Sequence, residues 1–311
     1  MTAMPQGGLV VIAVTPYTDD GTVDEAGVGQ LIDFYLSCGV SGVTVLGVMG
    51  EANRMTAAES RRVVELMVQA VASHVPVMVG VTDSSLRRIG DLAEYAMACG
   101  AAGVMVAPQP GLQGDATVAK YFSDVAATLG PDIPICVQDF PKANDVHLSV
   151  LSWRMIVESC PTVVMLKAED EPGLGKLTAI REAELGDLRH KTILTGNNGI
   201  HLVQELGRGS DGAMTGFAFP DVLAATISLF DDGKPDAAED LYDIYLPTNR
   251  HELRMGISIR KEILRRRGAL PSAHARHPAA ALGPVDHAEL DRLLARVERA
   301  SGQPVSSIRK V

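Results

Sequence analysis

Cysteine is scarce in this 311-residue chain: Cys38, Cys99, Cys136 and Cys160 stand far apart with no CxxC pair. A disulfide scaffold is therefore not expected, and the chain reads as one suited to a reducing, cytoplasmic setting. Positive charge is also short. Against 38 Asp+Glu there are 28 Lys+Arg, a formal net charge of −10, which argues against nucleic acid or an anionic membrane as partner. No apolar run approaches the ~18 residues a membrane-spanning helix needs. Leu9–Val14, with no positive charge before it, is too short for a signal-peptide core. Three catalytic signatures are missing as well: the GxxxxGK[ST] phosphate loop, the GxSxG elbow and HExxH. The eight histidines do not gather with carboxylates at strand ends, so metal-dependent chemistry is set aside and neither metal nor dissociable cofactor is expected.

What the chain has in quantity is aliphatic sequence. Hydrophobic residues make up 46% and charged residues 21%, a mixture that excludes a disordered or low-complexity protein. Eight short runs recur at the spacing of one strand-plus-helix unit: 9–15, 42–47, 75–82, 103–108, 133–140, 162–169, 192–197 and 212–219. Most are continuously apolar, as parallel strands buried on both faces are. Amphipathic stretches separate them; Thr56 and Glu59 form a capping-box signature ahead of one. Cys38-Gly39 before Gly42-Val43 is echoed by Cys99-Gly100 before Gly103-Val104, each a helix ending at a glycine and turning into a strand.

Eight such units predict an α/β fold, a (β/α)8 TIM barrel over 1–232, followed by a C-terminal helical extension over 233–311. A doubly wound open sheet fits less well, having fewer strands and often a GxGxxG turn. Within the extension, 236–246, 252–267 and 287–300 read as helices. Arg265-Arg266-Arg267 reads as a solvated helix end near its favourable dipole, and His251-Glu252 as structural.

Barrel enzymes carry their working residues at the C-terminal ends of strands. There, Lys167 follows Val163-Val164-Met165-Leu166, and no other lysine sits inside such a run. Alternation puts Lys167 and Glu169 on one side. A lysine in an apolar cavity loses part of its preference for the ammonium form, and a free amine can attack the carbonyl of a 2-keto acid to form an imine; Glu169 could move protons. By position alone, a lysine that snorkels to solvent and pairs with Glu169 is an equal reading. Gln138, near the end of the fifth run, could orient a substrate hydroxyl, and an amide bonded to a neighbouring loop is an equal reading. Gly47, Val48 and Met49 lie on a turn whose backbone N–H groups could hold a carboxylate. Gly196, near the end of the seventh run, and Thr215, within the eighth, are further substrate-binding candidates.

Val14-Thr15-Pro16 with Asp20-Gly21, the turn Gly47–Glu51 and the strand Val163–Glu169 together resemble the Schiff-base-forming superfamily of dihydrodipicolinate synthase and N-acetylneuraminate lyase. The resemblance implies that Lys167 forms the imine, and that the chain assembles as a homotetramer, a dimer of dimers. Several positions depart from it. The two threonines that hold the keto-acid carboxylate are Val48 and Met49 here, the proton-relaying tyrosine is Gln138, and the arginine for a second carboxylate falls at Ala143. Synthase activity is therefore not expected. Val137-Gln138-Asp139, Gly212–Gly216, Phe219-Pro220-Asp221, Leu246-Pro247, His251-Glu252 and Arg276-His277-Pro278 resemble the branch of L-2-keto-3-deoxyarabonate dehydratase. That branch implies dehydration of a 2-keto-3-deoxy sugar acid, with Glu169 as the base at C3. An aldolase yielding pyruvate and an aldehyde, and a keto-acid-binding barrel without turnover, are the alternatives.

Overall fold

A computed structural model describes residues 3–309. Among them, eight parallel strands close into a barrel in sequence order: β1 (Gly8–Ile12), β2 (Gly42–Val45), β3 (Val77–Gly80), β4 (Gly103–Val106), β5 (Ile135–Asp139), β6 (Val163–Ala168), β7 (Thr192–Thr195) and β8 (Gly212–Thr215). Closure comes from β8 pairing with β1, with Val11 opposite Thr215.

The continuous apolar runs are explained by burial on two different faces. Outward positions such as Val43, Val45, Val104, Val106, Ile135 and Val137 join the core under the surrounding helices. Inward positions form a separate cluster of Val10, Ile12, Met78, Met105, Cys136, Met165, Leu194 and Met214. Beta-branched residues suit the sheet-to-helix face, while flexible methionines fill the narrowing barrel axis. Apolar sequence continues beyond several strands because the loops are buried too: Phe217 and Phe219 pack at 5.4 Å between ring centroids, and Phe219 meets Tyr245 at 5.1 Å.

The helices are α1 (Glu25–Ser37), α2 (Ala57–Val71), α3 (Leu86–Cys99), α4 (Asp115–Leu129), α5 (Pro141–Asn144), α6 (Val150–Ser159), α7 (Leu174–Glu184), α8 (Leu202–Leu206), α9 (Pro220–Asp231), α10 (Pro235–Met255), α11 (Ile257–Arg266) and α12 (Pro284–Ser301). The capping box at Thr56 and Glu59 is formed. No helix among the described residues is long and apolar enough to cross a membrane.

The extension differs from the expectation in two ways. Its first helix does not stop near Leu246 but runs through Pro247 to Met255. Proline removes one helical hydrogen bond, yet buried Thr248, Asn249 and Glu252 anchor the following turns, and the break comes at Gly256, whose φ of 75° no continuing helix adopts. The arginine triplet is also not uniformly solvated. Arg265 and Arg266 pair with Glu262, but Arg267 is buried, donating to Asp221 at 2.9 Å and to the carbonyls of Ala218 and Val305. Its guanidinium lies over Phe219 at 4.4 Å. The helix end is folded inward because α11 packs against the barrel, which a charge count cannot reveal.

Candidate active site

At the C-terminal mouth the inward face changes from apolar to polar. Gln138 and Lys167 are register partners on β5 and β6, one pleat above Cys136 and Met165. Just past the strand, the Glu169 amide still donates to the Asp139 carbonyl at 2.9 Å, which keeps Glu169 on the same face as Lys167. The result is a triad: Lys167 Nζ lies 2.8 Å from Glu169 Oε2, and Gln138 Nε2 donates to that same oxygen at 2.7 Å. Lys167 is 4% exposed, Glu169 8% and Gln138 5%. Solvent does not screen these contacts.

Gly196 belongs to this site, though through space rather than donors. A Cβ there would stand 2.5 Å from Glu169 Cδ and closer still to its Cγ and Oε1. The absence of a side chain is what admits the Glu169 carboxylate. The next residue, Asn197, was not anticipated: its backbone N–H faces Glu169 Oε1 at 3.4 Å, and its Nδ2 donates to the Glu169 carbonyl at 3.1 Å. Beneath the triad, burial pushes the Cys136 thiol up to about 12, which leaves it a filler and not a nucleophile.

The Gly47–Glu51 turn closes another part of the mouth. Its 3-10 turn starts at Val48, so the leading amides are not used by its own i→i−3 bonds. Val48 is 57% exposed, whereas Met49 packs on the barrel-interior cluster. The Thr15 hydroxyl donates to the Gly50 carbonyl at 2.7 Å, tying the loop after β1 to this turn. Thr215 is not brought to the triad. It neighbours Val11 across the closing strand pair, while Met214 takes the inward position; strand parity turns its side chain toward the helices.

A cavity of about 820 Å³ opens over the ends of β2–β5, with Gly47, Val48, Thr82, Met105, Gln138 and Asn144 in its wall. It reaches the triad through Gln138. Ala143 also lines it, so the position where the resemblance would place an arginine presents only a methyl group.

With this geometry in place, similarity to known proteins decides the family. The sequence profile of the dihydrodipicolinate synthetase family matches residues 5–299. The chain belongs to that family. It is 28% identical over 298 residues to L-2-keto-3-deoxyarabonate dehydratase of Azospirillum brasilense, covering 94% of each chain. It is 26% identical over 304 residues to the putative 2-dehydro-3-deoxy-D-gluconate aldolase YagE of Escherichia coli K12, covering 95% of this chain and 99% of that one. Among solved structures, dihydrodipicolinate synthase from Rhodopseudomonas palustris superposes with a TM-score of 0.92 at 40% identity, over 95% of this chain and 100% of the other. The structure of YagE in complex with pyruvate superposes at 0.86 and 25% identity, over 94% and 98%. The family is one of class I lyases, so lyase chemistry on a barrel scaffold is the coarse assignment.

Proposed function

We propose that this protein is a metal-independent lyase that forms an imine between Lys167 and a 2-keto acid and dehydrates a 2-keto-3-deoxy sugar acid. The observation that carries the reading is the buried triad, in which one Glu169 oxygen is shared by Lys167 at 2.8 Å and Gln138 at 2.7 Å. Lysine and carboxylate are close enough to exchange a proton, and they stand over a floor of methionine and aliphatic side chains.

The chemistry balances with these groups alone. Glu169 accepts a proton from the Lys167 ammonium, and the free amine adds to C2 of the keto acid. Loss of the C2 oxygen as water leaves the iminium, which acidifies C3. Glu169, relieved of its proton to that departing water, takes one from C3 to give the enamine. The enamine electrons expel the C4 hydroxyl, which leaves as water on the proton Glu169 returns. Hydrolysis then frees an α,β-unsaturated 2-keto acid and Lys167. Gln138 holds the Glu169 oxygen between steps and can hand its amide to the departing hydroxyl. The turn amides at Val48 and Met49 face the substrate carboxylate in this scheme, without side-chain hydroxyls.

The similarity to the arabonate-derived dehydratase supports dehydration, and the similarity to YagE favours the second reading, cleavage to pyruvate and an aldehyde. Lysine-pathway synthase activity is disfavoured by Gln138 and Ala143, where a tyrosine relay and an arginine would stand. A panel of 2-keto-3-deoxy acids with product identification separates the readings: water loss supports dehydration, pyruvate plus aldehyde supports cleavage, and binding without turnover overturns both. We also infer a cytoplasmic homotetramer, to be checked by light scattering.

A further inference from the structure

Helix α11 carries two adjacent cations into the barrel mouth, Arg260 and Lys261, 2% and 0% exposed. Consecutive helix positions diverge by about 100°, and the two side chains serve different loops. Arg260 Nε donates to Glu252 Oε1 at 2.6 Å, and its Nη2 donates to Asn198 Oδ1. Asn198 donates to the same Glu252 oxygen at 3.0 Å, while Asn249 holds the Asn198 carbonyl at 2.8 Å. Asn198 directly follows Asn197, the residue whose amide and side chain hold Glu169.

Lys261 Nζ stands 2.6 Å from Glu51 Oε1, donates to the His274 carbonyl at 2.8 Å and lies 4.3 Å above the Tyr17 ring. The other Glu51 oxygen accepts from Arg54 at 2.8 Å and from the Arg276 amide at 2.9 Å. Glu51 closes the turn that begins at Gly47. Glu51, Asn197 and Asn198 all have left-handed φ, 59°, 51° and 58°; asparagine tolerates it, whereas Glu51 keeps it only where its surroundings impose it.

Stability does not explain these pairs well. Desolvating two charges roughly cancels their attraction, and apolar replacements of buried pairs are often neutral or stabilising. What such a buried, multiply bonded pair supplies is a fixed position for the loops it holds, although Arg260 Nη1 itself has no hydrogen-bond partner among the described residues.

We propose that Arg260 and Lys261 are positioning residues for the imine site, Arg260 fixing the β7 loop that orients Glu169 and Lys261 fixing the β2 turn that faces the substrate carboxylate. The proposal rests on the imine reading above. It makes the C-terminal extension a working part of the site, acting through two loops far apart on the barrel rim.

Pyruvate is the probe, with two readouts on the intact protein. One is the pyruvate concentration that half-saturates borohydride trapping; the other is the rate of hydrogen–deuterium exchange at the pyruvate methyl group in D2O, which reports proton removal at C3. Lys261→Met is expected to raise the half-saturating concentration at least tenfold while exchange at saturation stays within threefold, and Lys261→Arg to recover most of the loss. Arg260→Gln is expected to do the reverse, lowering saturated exchange at least tenfold with half-saturation within threefold. Should either variant fail to fold, Glu51→Gln and Asn198→Ala remove the same two links from the other side. Folded variants that match wild type in both readouts overturn the proposal, as do variants in which half-saturation rises and exchange falls together with a drop in melting temperature. Wild-type protein that traps no pyruvate overturns the imine reading, and the proposal with it.

Discussion

Gly196→Ala tests the site geometry with a single carbon atom. The new Cβ would stand 2.5 Å from Glu169 Cδ, with Cγ and Oε1 nearer still, whereas ordinary contact begins at 3.4 Å. The Glu169 carboxylate must therefore retreat by about 1 Å, since the glycine backbone is held by its amide bond to the Ala168 carbonyl at 2.9 Å. A retreat of that size breaks contacts of 2.8 Å to Lys167 and 2.7 Å to Gln138. Misplacing a catalytic group by about 1 Å can cost on the order of 10²-fold in rate, and overpacking a tight site destabilises by about 1–3 kcal/mol. Steady-state kinetics on the substrate found by the panel should show kcat down about a hundredfold. Trapping of pyruvate on Lys167 should persist at long incubation but form more slowly, because the lysine remains while the carboxylate that takes its ammonium proton has moved. A folded Gly196→Ala enzyme with kcat within threefold of wild type would refute the placement of Glu169.

Other expectations follow from the same structure. Burial first, then the nearby Glu169 and Glu171 charges, push Glu205 up to about 7 from 4.5. The folded state therefore keeps its proton longer than the unfolded state, and stability falls as pH rises from about 4.5 through 7. At about 1.4 kcal/mol per pH decade, Glu205→Gln should gain about 3 kcal/mol at pH 8 and nothing near pH 4; parallel melting curves for both proteins across that range would contradict this. Arg267→Ala leaves Asp221 buried without its partner and should destabilise by about 3–5 kcal/mol, read by urea unfolding, where a loss below 1 kcal/mol would contradict the burial of that pair. Since lysine and carboxylate carry the proposed scheme, prolonged chelation should leave turnover unchanged; inhibition reversed by a divalent ion would overturn the metal-free route.

The sequence made the barrel readable because its strands are uniformly buried and its turns repeat. The place of Lys167 and Gln138 at the barrel mouth was readable because both lie near the ends of apolar strands that pair in register, whereas their residue types alone left a structural reading equally open. Thr215 shows the limit, since one step of strand parity separates the mouth from the helix face, and the boundary of β8 could not be fixed from a run that continues apolar into Phe217 and Phe219. Asn197 acts through a backbone N–H, which no residue type signals, and through a side-chain bond to the Glu169 carbonyl that only the folded loop brings within reach. Arg260 finds its partner Asn198 62 positions away, and Lys261 reaches back to Glu51 near the start of the chain. Such contacts exist only once α11 lies across the mouth. Arg267 went unread for the same reason, its charge being informative only after packing is known.

The proposed chemistry depends on Lys167 forming an imine with a 2-keto acid. The direct measurement is mass spectrometry of peptides after incubation with pyruvate and borohydride. One reduced adduct is expected, on a peptide containing Lys167, absent from Lys167→Ala. No adduct on the wild-type protein, or an adduct that survives Lys167→Ala, would contradict it.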